Sequence, residues 1–281
     1  MMRVFICKLC KLLILLFSLL LIFWGVIIHN RAEICKIDAN ILFLGNSRVQ
    51  YGIDDRLIPR AFNAGLNADN YVFSYLKLKL LKKYNPQIDT LYLGYDAPSV
   101  YNYFEKTTND KFHPYFWDIL DKDDWLFFIE NDSDIFTSPL HWLKILYPLR
   151  SYISEVSFQN LGLGGFSELY RDKLREDIEL MKGNKKNRVK VQPNLLQKKY
   201  LDKIVSFCHR ENIELYFINM PSYTKDTNED LWNNKLLNYE NIRYYDFECI
   251  ELPDSCYGDI THLNYRGAKV FTSFMINKLG L

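Results

Sequence analysis

The sequence predicts an α/β fold, a three-layer sandwich built on a parallel sheet, with an N-terminal transmembrane helix and an aromatic-rich insertion. Three observations predict it. Short apolar runs alternate with helix-period segments from residue 41 onward, a 17-residue uncharged run (Leu12 to Ile28) precedes them, and fifteen aromatic residues crowd between Tyr101 and Phe158.

The apolar run comes first. At about 1.5 Å per residue it spans roughly 25 Å, enough for a hydrocarbon core. A buried soluble helix would show a polar face, and this run has none. His29-Asn30-Arg31 follows it in place of a small-residue cleavage site, so an uncleaved signal anchor is expected. Arg3, Lys8 and Lys11 precede the run and no acidic residue occurs before Glu33. Those cations favour a cytoplasmic stub over residues 1–11 and an anchor over 12–30. The domain of residues 36–281 is then expected on the far side, periplasmic or extracellular.

The alternation follows. Ile41 to Gly45 and Thr90 to Gly94 read as buried strands ending in turns. Asn70 to Tyr84 has helical spacing (Val72, Tyr75, Leu76, Leu80) and is stopped by Pro86. Leu195 to Arg210 is amphipathic, Ile213 to Asn219 and Ile242 to Phe247 read as strands, and Asn264 to Leu279 closes the chain as a helix. Strands separated by helices imply a parallel sheet covered on both faces. The stretch at about 101–165 interrupts this order as an insertion. Its aromatics are expected to form a small core of their own, the alternative being a surface for stacking sugar rings. Lys182 to Lys190 reads as a solvated cationic connector.

Composition narrows the function classes. With 35 Lys+Arg against 34 Asp+Glu the chain has no electrostatic footprint for nucleic acid. Three of those cations lie before the run, which leaves 32 against 34 acids beyond it. Six cysteines are too few for a disulfide scaffold, although Cys249 and Cys256 are close enough in sequence to pair in an oxidising compartment. No paired Cys-x-x-Cys motif or His-Glu-x-x-His occurs, so neither metal nor cofactor is called for.

Chemistry in a parallel α/β fold belongs at the carboxyl ends of the strands. Gly45-Asn46-Ser47 follows the first strand, where a serine presents its hydroxyl and backbone N–H groups can cradle an oxyanion. Asp259-Ile260-Thr261-His262 directly precedes the last helix. Three-residue spacing lets the carboxylate fold back on the imidazole, fix its tautomer and leave the other nitrogen to activate a serine. Asn63-Ala64-Gly65 ends a short apolar stretch where glycine permits close backbone approach to a bound carbonyl.

Taken in this order, the sequence resembles the SGNH (GDSL-like) hydrolase superfamily. The first block is Ile41-Leu42-Phe43-Leu44-Gly45-Asn46-Ser47-Arg48, with Asn where many members have Asp. The second is Phe62-Asn63-Ala64-Gly65. The last is Asp259-Ile260-Thr261-His262, followed by Leu263-Asn264-Tyr265-Arg266-Gly267-Ala268. The resemblance runs over about Ile41 to Leu279 and implies a flavodoxin-like sandwich. It also implies Ser47 as nucleophile, His262 as base and Asp259 as its orienter, with the amides of Ser47 and Gly65 as oxyanion donors. Asn46, Arg48, Asn63, Tyr95 and Asp96 are then expected to face the substrate.

One block departs from the pattern. Members usually carry an asparagine in Gly-x-Asn-Asp, and here the strand ends Leu93-Gly94-Tyr95-Asp96-Ala97-Pro98. That donor is missing, or replaced by Tyr95 or Asp96. The general α/β-hydrolase elbow fits less well, because position 49 is Val where Gly is required.

The expected activity is acyl-ester hydrolysis or O-acyl transfer through an acyl-Ser47 intermediate. The tether points to a cell-envelope glycan substrate. The resemblance to envelope proteins of alginate O-acetylation or teichoic-acid D-alanylation implies a multi-spanning membrane acyltransferase as partner. The competing expectation is an inactive SGNH-like scaffold that binds a glycan or a partner.

Overall fold

The computed structural model describes residues 2–100, 114–131, 163–183, 194–224, 239 and 241–281. Five strands form one sheet: β1 (Ile41–Leu44), β2 (Ala61–Asn63), β3 (Thr90–Gly94), β4 (Glu214–Asn219) and β5 (Arg243–Asp246). All neighbours are parallel and the order is β2-β1-β3-β4-β5. This is a flavodoxin-like order, and its direction reverses between β1 and β3, where ligand crevices form in such sheets.

The helices are α1 (Met2–Cys35), α2 (Ser47–Gly52), α3 (Tyr71–Tyr84), α4 (Ala97–Val100), α5 (Lys122–Asn131), α6 (Leu174–Gly183), α7 (Leu195–Arg210) and α8 (Tyr265–Leu279). Asparagine starts four of them. The side chains of Asn46, Asn70, Asn194 and Asn264 each accept backbone N–H groups of the first turn, which would otherwise lack partners. Helices α3 and α7 cover one face of the sheet, burying Val72, Leu76, Leu80, Leu201 and Ile204 against Leu42 and Leu91. Helices α2 and α8 cover the other, with Val49, Phe271 and Met275 packed on Phe43, Tyr92 and Ile218.

The insertion is corrected in part. Residues 101–113 and 132–162 lie outside the described residues, as do 184–190 of the cationic connector. Within 114–131, Tyr115, Phe116, Phe127 and Phe128 are buried in the main core, neither a separate core nor an exposed platform. The reason is geometric: Phe128 meets Phe73 of α3 and Phe127 meets Tyr200 of α7, so α5 extends an existing apolar face. Cys249 and Cys256 are both free thiols, the first exposed and the second buried.

The N-terminal span is also corrected. Residues 12–30 are helical, but α1 passes both expected bounds and reaches Cys35. Among the described residues, no helix is long and apolar enough to cross a membrane. The last turns of α1 belong to the folded domain because they dock there. Arg31, only 4% exposed, grips the Asp118 carboxylate with both guanidinium arms and donates to the Tyr84 hydroxyl at 2.7 Å. Trp24 packs on Trp117.

Candidate active site

Parallel strands deliver their carboxyl ends to one edge, and the site is built there. Gly45 turns the chain from β1 into α2 at φ 151°, a conformation that favours glycine. A Cβ there would stand 2.6 Å from Val49 Cγ2, so glycine also lets α2 settle on the sheet. Ser47, the first residue of α2, is thereby presented at the β1/β3 reversal.

The Asp259–His262 segment is a closed loop. Tyr257 and Leu263 bridge its ends, and the Gly258 N–H donates to His262 O at 2.9 Å. Asn264 Nδ2 donates to the carbonyls of Ser255 and Tyr257. Inside the loop Asp259 Oδ1 accepts the backbone N–H groups of Thr261 and His262 at 2.9 and 2.8 Å, together with the Thr261 hydroxyl. This local network fixes the carboxylate against His262 Nδ1, at 2.9 Å from Oδ1 and 3.0 Å from Oδ2. With Nδ1 occupied by a carboxylate, the proton sits there and Nε2 is left as acceptor. Nε2 lies 2.8 Å from Ser47 Oγ. The three residues therefore form a hydrogen-bonded relay across 215 positions of sequence.

The Asp259 carboxyl lies well below the usual carboxylate range. Burial opposes its charge, but hydrogen bonds from His262, from the Thr261 N–H and from Arg171 outweigh that cost. A depressed carboxyl stabilises the fold above its unfolded value near pH 4, and that contribution is lost as pH falls further. The stability gap between wild type and Asp259→Asn is therefore expected to be full at pH 6 and to narrow below about pH 4, as read by urea midpoints at each pH.

The other expected site residues divide differently. Asn63 is fully buried and does not face the crevice. Its Nδ2 donates to Val49 O and Ile53 O, and its Oδ1 accepts the Gly65 N–H at 2.8 Å. The Gly65 amide expected in the oxyanion hole is thus already engaged. Gly65 is needed for another reason: a Cβ there would meet Gln50 N of α2 at 2.7 Å. Tyr95 is buried and stacked on Phe217, so it packs and does not line the mouth. The Ser47 amide has no protein acceptor among the described residues, which leaves it available to a ligand.

Asn46, Arg48 and Asp96 do come together, as an internal network. Asn46 Nδ2 donates to Asp96 Oδ2 at 2.8 Å and to Ser99 Oγ at 3.0 Å, while Asp96 Oδ1 accepts the Ser99 N–H. An amide at 46 faces a carboxylate at 96, the reverse of the Asp and Asn that the resembled family places in these blocks. Arg48 reaches Asp96, Asn219 Oδ1 and Met220 O, and pairs with Glu248 at 3.6 Å. Its guanidinium ties together the ends of β1, β3, β4 and β5.

Sequence reasoning missed Asn219, Glu248, Tyr51 and Arg171. Asn219 ends β4 and Glu248 follows β5, so the strand-end rule pointed at both. The Tyr51 ring meets the His262 ring edge-on at 5.6 Å. Arg171 donates to Asp259 Oδ2 at 2.8 Å from a segment without periodicity, and no sequence signal marks it. Among the described residues no cluster of His, Cys, Asp and Glu could hold a metal ion.

A family model without a descriptive name matches residues 166–280, less than half of the chain. No curated protein matches. Among solved structures, a Streptococcus pneumonia protein provisionally named a platelet activating factor is similar at 13% identity and TM-score 0.42, over 96% of this chain and 98% of that one. A likeness that weak carries no argument about activity.

Proposed function

We propose that this chain is a serine acyl-ester hydrolase or O-acyltransferase that works through an acyl-Ser47 intermediate on a cell-envelope glycan. The observation that carries the reading is the relay Ser47 Oγ–His262 Nε2–Asp259, at 2.8 and 2.9 Å. In the first step Ser47 Oγ attacks the ester carbonyl carbon and its proton passes to His262 Nε2. Asp259 holds the Nδ1–H and stabilises the imidazolium. The tetrahedral oxyanion takes the Ser47 N–H. Collapse breaks the bond to the alcohol oxygen, which receives the proton from Nε2. His262 then takes the proton of the acceptor, water for hydrolysis or a sugar hydroxyl for transfer, as its oxygen attacks the acyl carbon. Collapse breaks the bond to Ser47 Oγ, which regains the proton from Nε2.

With the Gly65 amide held by Asn63 and a carboxylate at 96, the oxyanion has fewer donors than the resembled family supplies. Each lost donor typically costs about 10²–10³ in rate, so slow turnover of small esters is expected.

A membrane tether completes the reading. Phe5, Ile6, Leu9, Leu12, Leu16 and Ile22 are exposed on α1, and contiguous apolar surface of this kind marks a membrane or partner contact. The cations Arg3, Lys8 and Lys11 at its start add charge attraction to an anionic membrane surface. A multi-spanning acyltransferase in that membrane is the partner we propose.

The full chain in detergent is expected to be labelled by a fluorophosphonate probe, and Ser47→Ala to remain unlabelled. Equal labelling of both would remove Ser47 as nucleophile, and a wild type that takes no label would leave the second reading, an inactive scaffold, which the engaged Gly65 amide favours.

A further inference from the structure

Residues 163–173 form a strap across this edge, and its main chain bonds to the segments that flank the relay residues. Near its start the Gly165 N–H donates to Gly65 O at 3.1 Å, and a Cβ on Gly164 would lie 2.4 Å from Ala64 O. The Ser167 N–H donates to Gln50 O of α2, the helix that begins with Ser47. Further on, Leu169 O accepts the Tyr265 N–H and the Lys173 N–H donates to Gly258 O at 2.8 Å. Gly258 and Tyr265 flank the Asp259–His262 loop, so Arg171 is pinned between two backbone bonds to the two sides of that loop.

We propose that Arg171 is a positioning residue for the relay: delivered by the strap, its guanidinium fixes the Asp259 carboxylate in the orientation that faces His262 Nδ1. The proposal rests on the serine-relay reading. Asp259 Oδ1 already receives three donors from its own loop besides the imidazole, which it shares with Oδ2. Among the described residues, Oδ2 receives the imidazole and Arg171, the latter at 2.8 Å. The carboxylate side chain is 5% exposed and the arginine side chain 49%, so the guanidinium closes the solvent side of a buried charge. Without it, Oδ2 keeps only the imidazole contact that it is meant to orient, and the carboxylate is held chiefly through Oδ1. The Nδ1–H bond then loses its alignment, and with it the basicity delivered to Ser47. The same strap sets the spacing between α2 and the loop, which is why an irregular segment serves here: its free N–H and C=O groups bond sideways to both.

Arg171 touches the orienter and not the substrate, so its removal should act on kcat and spare KM. With p-nitrophenyl acetate and the full chain in detergent, Arg171→Ala is expected to lose about 10-fold in kcat with KM within about twofold. Arg171→Lys is expected to recover most of the loss, since an ammonium can still reach Oδ2. A second readout needs no turnover: the downfield imidazole N–H proton resonance of His262, assigned by its absence in His262→Gln. It should move in Arg171→Ala and return in Arg171→Lys. Unchanged kcat and an unmoved resonance in a folded Arg171→Ala overturn the proposal, as does a change confined to KM. Should wild type neither turn over ester nor take the probe, the serine reading fails, and the resonance still decides whether Arg171 positions the pair.

Discussion

Asp259→Asn is expected to lower kcat for a small ester by about 10⁴-fold while the protein stays folded. The substituted side chain keeps one oxygen and gains an NH₂ group. The oxygen stays with the Thr261 and His262 N–H groups that Asp259 Oδ1 now serves. The NH₂ then takes the place of Oδ2 and confronts two donors, His262 Nδ1–H and Arg171 Nη1. To relieve that clash the imidazole moves its proton to Nε2, the nitrogen 2.8 Å from Ser47 Oγ. A protonated Nε2 cannot accept the serine proton, so the relay fails at its first step. The stability cost should be about 1–3 kcal/mol, the range for a disturbed buried hydrogen bond. Steady-state kinetics and a thermal melt test both parts, and unchanged turnover would remove Asp259 from the mechanism.

Lys77→Met should cost about 3–5 kcal/mol, a large share of the roughly 5–15 kcal/mol that holds a domain together. Lys77 lies inside α3 with its side chain 1% exposed, and its ammonium is 2.7 Å from Asp69 Oδ2. It also donates to Ala64 O, the residue before Gly65. Burial pushes the Lys77 ammonium below its ordinary range, and Asp69 opposes that shift. Methionine fills the space but leaves the Asp69 carboxylate buried with, among the described residues, Ser74 Oγ as its remaining side-chain donor, and it removes the ammonium from the Ala64 carbonyl. The stranded charge is the larger loss, so Lys77→Met/Asp69→Asn should recover at least half of the stability. Urea midpoints of the two variants provide the test. A single-variant loss under about 1 kcal/mol would show that the pair is not needed.

Four of the five strands were legible because they are short apolar runs with turn residues behind them, while β2, three residues long, was not named as a strand. Thr90–Gly94 and Leu195–Arg210 appear with the expected bounds, and the other strands and helices of the alternation differ by a residue or so. The Ser47, Asp259 and His262 cluster was legible because local rules place its parts: a turn after β1 for Ser47, and a three-residue spacing that makes Asp259 cap its own loop around His262. The oxyanion side was not. Asn63-Ala64-Gly65 has the expected residues, yet whether the Gly65 N–H faces a ligand or the Asn63 side chain depends on Val49 and Ile53, which orient that amide. The described part of the insertion, residues 114–131, differed for a similar reason. Aromatic density says that burial will occur, while the partner surface, here α3 and α7, is chosen by packing.

The sequence by itself determined the alternation of strands and helices, the apolar N-terminal run, and the Ser, Asp and His at strand and loop ends. Each of these follows from contacts within a few residues, where periodicity and turn chemistry act. Only the tertiary structure decided that Ser47 and His262 meet at 2.8 Å, that Asn46 and Arg48 spend themselves on Asp96, and that Arg171 reaches Asp259. Those contacts join residues 48 to 215 positions apart. Their geometry is set by strand order and by a strap whose backbone bonds have no signature in the chain.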